Sequence, residues 1–172
     1  VPVRNAHERL LPAPPERVGE LLDGLASDGD RLWPRDDWPA MRLDKPLGAG
    51  ARGGHGPVRY TVEEYEPGRR VRFRFRSPRG FDGHHEFAVR PGPGGAVLSH
   101  LITMRLRGSA MLLWSLFFRP LHDALLEECL DRAERALTGT VRTPARRSPH
   151  VRFLRRLAAA AGAGAARRRR RP

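Results

Sequence analysis

The chain has 172 residues, 40% of them hydrophobic, which suits one domain with a real core and excludes wholesale disorder. Its net charge of +13 is lopsided: residues 1–138 hold 21 basic and 19 acidic side chains, whereas residues 139–172 hold 11 arginines and no acid. The body of the chain is thus nearly neutral, so the basic pI does not mark a nucleic-acid-binding domain and no specific nucleic-acid partner is expected.

Val3 to Leu11 reads as a first strand, with Val3, Asn5, His7, Arg9 and Leu11 on one face. Its alternation is weak, so one face is expected to be wet. Ala13-Pro14-Pro15-Glu16 ends the strand and opens a helix. Proline's missing N–H costs nothing in a first turn, and Glu16 complements the positive end of the helix dipole. Val18, Leu21, Leu22 and Leu25 then recur at helical spacing to about Ser27. Residues 28–57 are rich in Gly, Pro and Asp and contain Trp33-Pro34 and Trp38-Pro39. They predict a long connection with a short second helix and one short strand near Met41 to Lys45; loops of this length in compact domains are often functional. The Gly48–Gly54 stretch superficially suggests a phosphate loop. It lacks the Gly-Lys-Ser/Thr ending and the strand–helix context, so it reads as a flexible turn.

From Pro57 the pattern sharpens. Val58, Tyr60 and Val62 alternate with polar neighbours, Glu66-Pro67-Gly68-Arg69 turns, and Val71, Phe73 and Phe75 alternate with Arg72, Arg74 and Arg76. After a turn at Ser77 to Gly80, His85, Phe87 and Val89 share one face, with His84, Glu86 and Arg90 on the other. Pro91 to Gly95 turns again, and Leu98, His100, Ile102, Met104 and Leu106 form the inward face of a last strand. Consecutive strands joined by tight turns predict an antiparallel meander. If the last turn pairs residues summing to about 187, Phe87 lies opposite His100 and His85 is one pleat step away. A long helix follows from near Ser109 to about Thr138, capped by Gly139 and interrupted at Arg119-Pro120, where a proline removes a hydrogen bond. Residues 139–172 are expected to be a mostly disordered basic tail with an amphipathic helix at 150–161. That tail has three readings: a solvated extension, a weak contact with an anionic membrane surface, or non-specific contact with nucleic acid.

The order strand, short helix, loop, curved meander, long terminal helix resembles the helix-grip fold of the SRPBCC superfamily, which includes START domains, polyketide cyclase/dehydrase-like proteins and pollen-allergen-like proteins. The supporting residues are the Leu10 to Val18 entry, the Trp33-Pro34 to Trp38-Pro39 loop, the Tyr65 to Val71 strand-turn and the closing helix Leu121 to Gly139. The resemblance covers about residues 3–139. It implies an α+β fold in which a curved antiparallel sheet wraps around a long C-terminal helix, with two short helices after the first strand. It also implies a deep, mostly apolar cavity, in relatives of which most bind or transport and a minority catalyse.

The residues expected to line such a cavity are Val58, Tyr60, Val62, Phe73, Phe75, His85, Phe87, His100, Ile102 and Met104 from the sheet, Phe117 and Leu121 from the helix, and Trp38 from the loop. His85 and His100 are the polar members. An imidazole there either orients a carbonyl or takes a proton, or simply bonds a backbone or Tyr60 hydroxyl. His84 and His85 point to opposite faces of one strand and cannot chelate one ion, and no metal or other cofactor is expected. Cys129, the sole cysteine, excludes an internal disulfide and fits a reducing cytoplasm. No stretch of about 18 apolar residues is present, so membrane insertion is not expected. Three functions stay open on sequence alone. They are a carrier of a lipid, polyketide or isoprenoid-like molecule, a cyclase or dehydratase using His85 or His100 as acid/base, and a basic-tailed interaction module with a filled core.

Overall fold

A computed structural model describes residues 1–169, with side chains as far as Ala160. The end of the Arg167 to Arg171 run, at residues 170–172, lies outside the described residues. Among the described residues, seven strands form one antiparallel sheet: β1 (Pro2–Leu11), β2 (Arg42–Leu43), β3 (Arg52–His55), β4 (Val58–Glu66), β5 (Arg70–Ser77), β6 (Phe81–Gly92) and β7 (Gly95–Leu106). Their spatial order is β1-β7-β6-β5-β4-β3-β2, a meander whose last strand is flanked by the first. The β6–β7 turn pairs Gly92 with Gly95, which sets Phe87 opposite His100 and His85 opposite Ile102. Two register shifts between β4 and β5, at Arg59/Tyr60 and Val62/Glu64, add twist and help the sheet to curve.

The residues between α1 (Pro15–Asp23) and β2 form turns, not the second short helix that the sequence suggested. Pro34 and Pro39 interrupt helical hydrogen bonding, and the Asp30 carboxylate accepts the backbone N–H groups of Ala26, Leu32 and Trp33 at 2.8–3.0 Å. The supposed flexible turn at Gly48–Gly54 is also different, since its second half is β3. A Cβ on Gly53 would lie 1.8 Å from the Arg42 carbonyl oxygen, and one on Gly54 would lie 2.0 Å from that of Val58. These glycines let three backbones approach one another.

The terminal helix is assembled in three pieces, α2 (Ala110–Leu113), a π-helical turn (Trp114–Phe118) and α3 (Arg119–Thr138), with Pro120 in the first turn of α3. Gly139 ends it in the left-handed conformation, φ 79°. Leu125, Leu126, Cys129, Leu130 and Ala133 turn one face of α3 into the core. A second face meets β1. One face of β1 is wet, as expected, with Arg4, Ala6, Glu8 and Leu10 exposed; the face of Asn5, His7 and Arg9 looks onto a carboxylate row at helical spacing, Asp123, Glu127, Asp131 and Glu134. Arg9 donates to Asp131 at 2.6 Å and Glu134 at 3.2 Å, and Asn5 Nδ2 donates to Asp123 at 2.9 Å. This polar seam fixes α3 across the sheet without filling the space beside it.

The chain beyond Gly139 folds back along α3. Arg142 pairs with Glu134 at 3.1 Å, the Ala145 N–H donates to Asp131 at 2.8 Å, and Arg147 donates to Glu128 at 2.6 Å. A further helix, α4 (Pro149–Arg169), buries Val151 and Leu154. It contains the expected 150–161 helix and runs past it. Among the described residues no helix is long and apolar enough to cross a membrane.

Candidate functional site

Between the sheet, α3 and α4 lies a cavity of about 880 Å³. Its sheet wall carries Phe75, Phe81, His85, His100 and Ile102; Leu121, His122, Leu125 and Leu126 face them from α3. Leu154, Leu157 and Ala158 of α4 close the far side, and Trp38 and the His55–Val58 hairpin form one end. The volume arises because the curved sheet and the polar β1–α3 seam hold the helix away from β5 and β6. Drug-sized ligand pockets run from roughly 300 to 1,000 Å³.

Of the sequence-expected lining, Trp38, Val58, Phe75, His85, His100, Ile102, Phe117 and Leu121 meet this space. Tyr60, Val62, Phe73, Phe87 and Met104 are buried but pack behind the wall, on the same inward faces further along the strands. Strand alternation distinguishes in from out, not cavity from solid core. Sequence reasoning missed Trp33, His55, Phe81, Trp114, Phe118, His122 and the whole α4 wall. His122 had a readable signal: it sits one residue from Leu121 and three and four before Leu125 and Leu126, on a helix face already known to be apolar.

Four of the chain's seven histidines form a row through this wall, and a fifth, His55, joins it through Tyr60. Ring centroids are 5.7 Å apart for His7 and His122, 5.0 Å for His122 and His100, and 5.3 Å for His100 and His85. His85 stacks on Phe73 and Phe75, both at 4.9 Å, and meets the edge of Tyr60, whose hydroxyl lies 3.2 Å from His55 Nδ1. Burial drives His85 and His100 well below the ordinary imidazole value and pushes His55 down to about 3, so all three are neutral. His85 Nδ1 and His100 Nε2 are 3.2 Å apart. Between two neutral rings one nitrogen donates and the other accepts, which leaves the pair one further N–H and one further lone pair. His85 Nε2, His100 Nδ1 and His122 Nε2 are buried without hydrogen-bond partners among the described residues.

His7 is the opposite case. Burial opposes its charge, but hydrogen bonds to Asp123 at 3.1 Å and Glu127 at 2.8 Å outweigh burial and raise its pKa. His7, His122 and Asp123 bring one donor atom each within 4.8 Å of one another. Those donors are engaged already: one Asp123 oxygen faces Asn5, His7 and His122, and both His7 nitrogens face carboxylates. The cluster is an ion-pair network. Near the opening, Arg147 bridges Glu128 and Asp37, Arg155 lies over the Trp38 ring at 4.7 Å, and the Trp38 indole N–H donates to Glu128 at 2.8 Å. These contacts fasten α4 and the preceding linker to the loop and to α3.

Chemically, the site offers apolar area and neutral imidazoles. A base held far below neutrality takes protons poorly, so the His85–His100 pair is better suited to orienting an oxygen than to abstracting a proton.

The family profile described as polyketide cyclase / dehydrase and lipid transport matches residues 3–162. No curated protein matches the chain. Among solved structures, the chain is similar to KanY protein (15% identity, 80% of this chain and 98% of that one, TM-score 0.59). It is also similar to the TTHA0849 protein of Thermus thermophilus (23% identity, 80% and 98%, TM-score 0.57). A third similarity is to CalU16 from Micromonospora echinospora (16% identity, 95% and 85%, TM-score 0.52). At these identities the likeness concerns the fold.

Proposed function

Because the chain belongs to the polyketide cyclase / dehydrase and lipid transport family, we propose that it binds and carries an apolar small molecule, of lipid, polyketide or isoprenoid kind, in the cavity between sheet and α3. The carrying observation is the unfilled volume of about 880 Å³ with a largely apolar wall. Each ~100 Å² of apolar ligand surface buried contributes about 2.5 kcal/mol, set against an association cost of about 4–15 kcal/mol. A ligand that fills much of the space is therefore needed for tight binding.

The adjacent His85–His100 pair is the observation that favours a cyclase or dehydratase. Their neutrality and burial weigh against it, since an acid/base residue works best with a pKa near the operating pH. Replacing both by Gln separates the two readings. A carrier keeps its affinity for an apolar fluorescent probe within a few-fold, because shape does the binding. A catalyst loses turnover while retaining the probe. Native mass spectrometry of protein from its own host is expected to show a co-purifying lipid-like mass; bare chain that also fails to take up any apolar probe would refute carriage.

A further inference from the structure

The stretch from Met111 to Phe117 leaves much apolar surface in water. Met111, Leu112, Leu113, Leu116 and Phe117 are all exposed, Leu112 by 68% and Leu116 by 55%, while Trp114 alone of this stretch turns into the core. Single exposed leucines are ordinary, but five large apolar side chains within seven residues make a patch. Phe153 and Leu157 of α4, 56% and 47% exposed, extend it. His150 in the first turn of α4 reaches the Leu116 carbonyl at 3.3 Å and brings the start of α4 to the π-helical turn. Phe117 and Leu157 also line the cavity, so the patch borders it on this side.

The surroundings of the patch are cationic. No Asp or Glu occurs between Glu86 and Asp123, and residues 139–160 carry six arginines and no acid. Arg147 and Arg155 are tied to Glu128 and Asp37, but Arg152 and Arg156 are exposed at the opening with no carboxylate in ion-pair range among the described residues. An exposed apolar strip beside unpaired arginines complements acyl chains beneath anionic headgroups. It does not complement a second copy of itself, which would set arginine against arginine.

We propose that α2, the π-helical turn and the outer side of α4 dock the protein on an anionic lipid bilayer, with the cavity opening turned toward the lipid. The leucines and phenylalanines enter the acyl boundary and the arginines meet headgroup phosphates. An apolar ligand then passes between bilayer and cavity without crossing water.

The test is sedimentation of the full chain with vesicles of phosphatidylcholine, with and without phosphatidylglycerol. Wild-type protein sediments with the anionic vesicles and much less with the zwitterionic ones. A Leu112→Glu/Leu116→Glu variant loses roughly tenfold or more of that partitioning, since two apolar insertions are withdrawn. Neither side chain lines the cavity, so the variant still binds an apolar fluorescent probe in vesicle-free solution, which also shows that it is folded. Partitioning that is absent in the wild type, unchanged in the variant or equal on both vesicles overturns the proposal. So does a concentration-dependent dimer in analytical ultracentrifugation that the same variant abolishes. Failure of probe binding by the wild type would instead strike the carrier reading, leaving the docking result to be read by itself.

Discussion

At His7 both ring nitrogens face carboxylates, so the proton it carries is held by the folded state. Its pKa is raised above the ordinary 6.5, which makes its stabilisation complete below that value and lost as pH climbs through the raised one. Asp123 is depressed below its ordinary 3.8 because hydrogen bonds from His122, His7 and Asn5 outweigh its burial, so its contribution is present above that value and lost as pH falls. Urea unfolding is therefore expected to show greatest stability between the two ordinary values. His7→Gln should cost about 1–2 kcal/mol there, flatten the alkaline side of the profile and weaken the acid side less, since Asp123 keeps its bonds to His122 and Asn5. A profile unchanged by the substitution would contradict the pairing. Sequence placed His7 on one strand face with Asn5 and Arg9 but named no partner for it, because the acidic row it meets is more than 110 positions away. His85 and His100 were legible as inward neighbours, since a tight turn fixes register; that both would be buried to neutrality depends on rings from other elements, Phe73 and Phe75 of β5 on His85 and His122 of α3 on His100.

Elements whose pattern is local were readable: the alternation of β5, the helical spacing of α1 and α3, and the glycine stop at Gly139. The misread elements depend on distant partners. Gly53 and Gly54 have no side chains to alternate, and they are strand because β2 and β4 flank them closely. Gly54→Ala is expected to cost about 1–3 kcal/mol, measured by thermal unfolding, and to weaken probe binding through the adjoining His55. No loss on either count would contradict the close packing. The segment after Gly139 looked like a charged tail because its apolar residues are few, yet Val151 and Leu154 are enough once Arg147 anchors the chain to Glu128 and Asp37. Arg147→Ala should lower stability by about 1–3 kcal/mol and speed tryptic cleavage within residues 142–156. Unchanged cleavage would mean that this anchor does not hold α4.

At the scale of the whole molecule, the order of elements was enough to foresee a curved sheet gripping a helix, and the family match and the structure agree on it. The size and walls of the cavity were not legible, since they depend on how far α3 stands off the sheet and on α4 closing the far side. One residue makes the cavity directly observable. Ile102 is the chain's only isoleucine, and it lines the cavity wall from the middle of β7. Labelling the isoleucine δ1 methyl group gives a single NMR signal from the site, to be followed while an apolar probe is titrated in. A saturable shift of that signal at one equivalent is the predicted result; a signal that stays in place while the probe binds elsewhere, or is not taken up, would contradict the account.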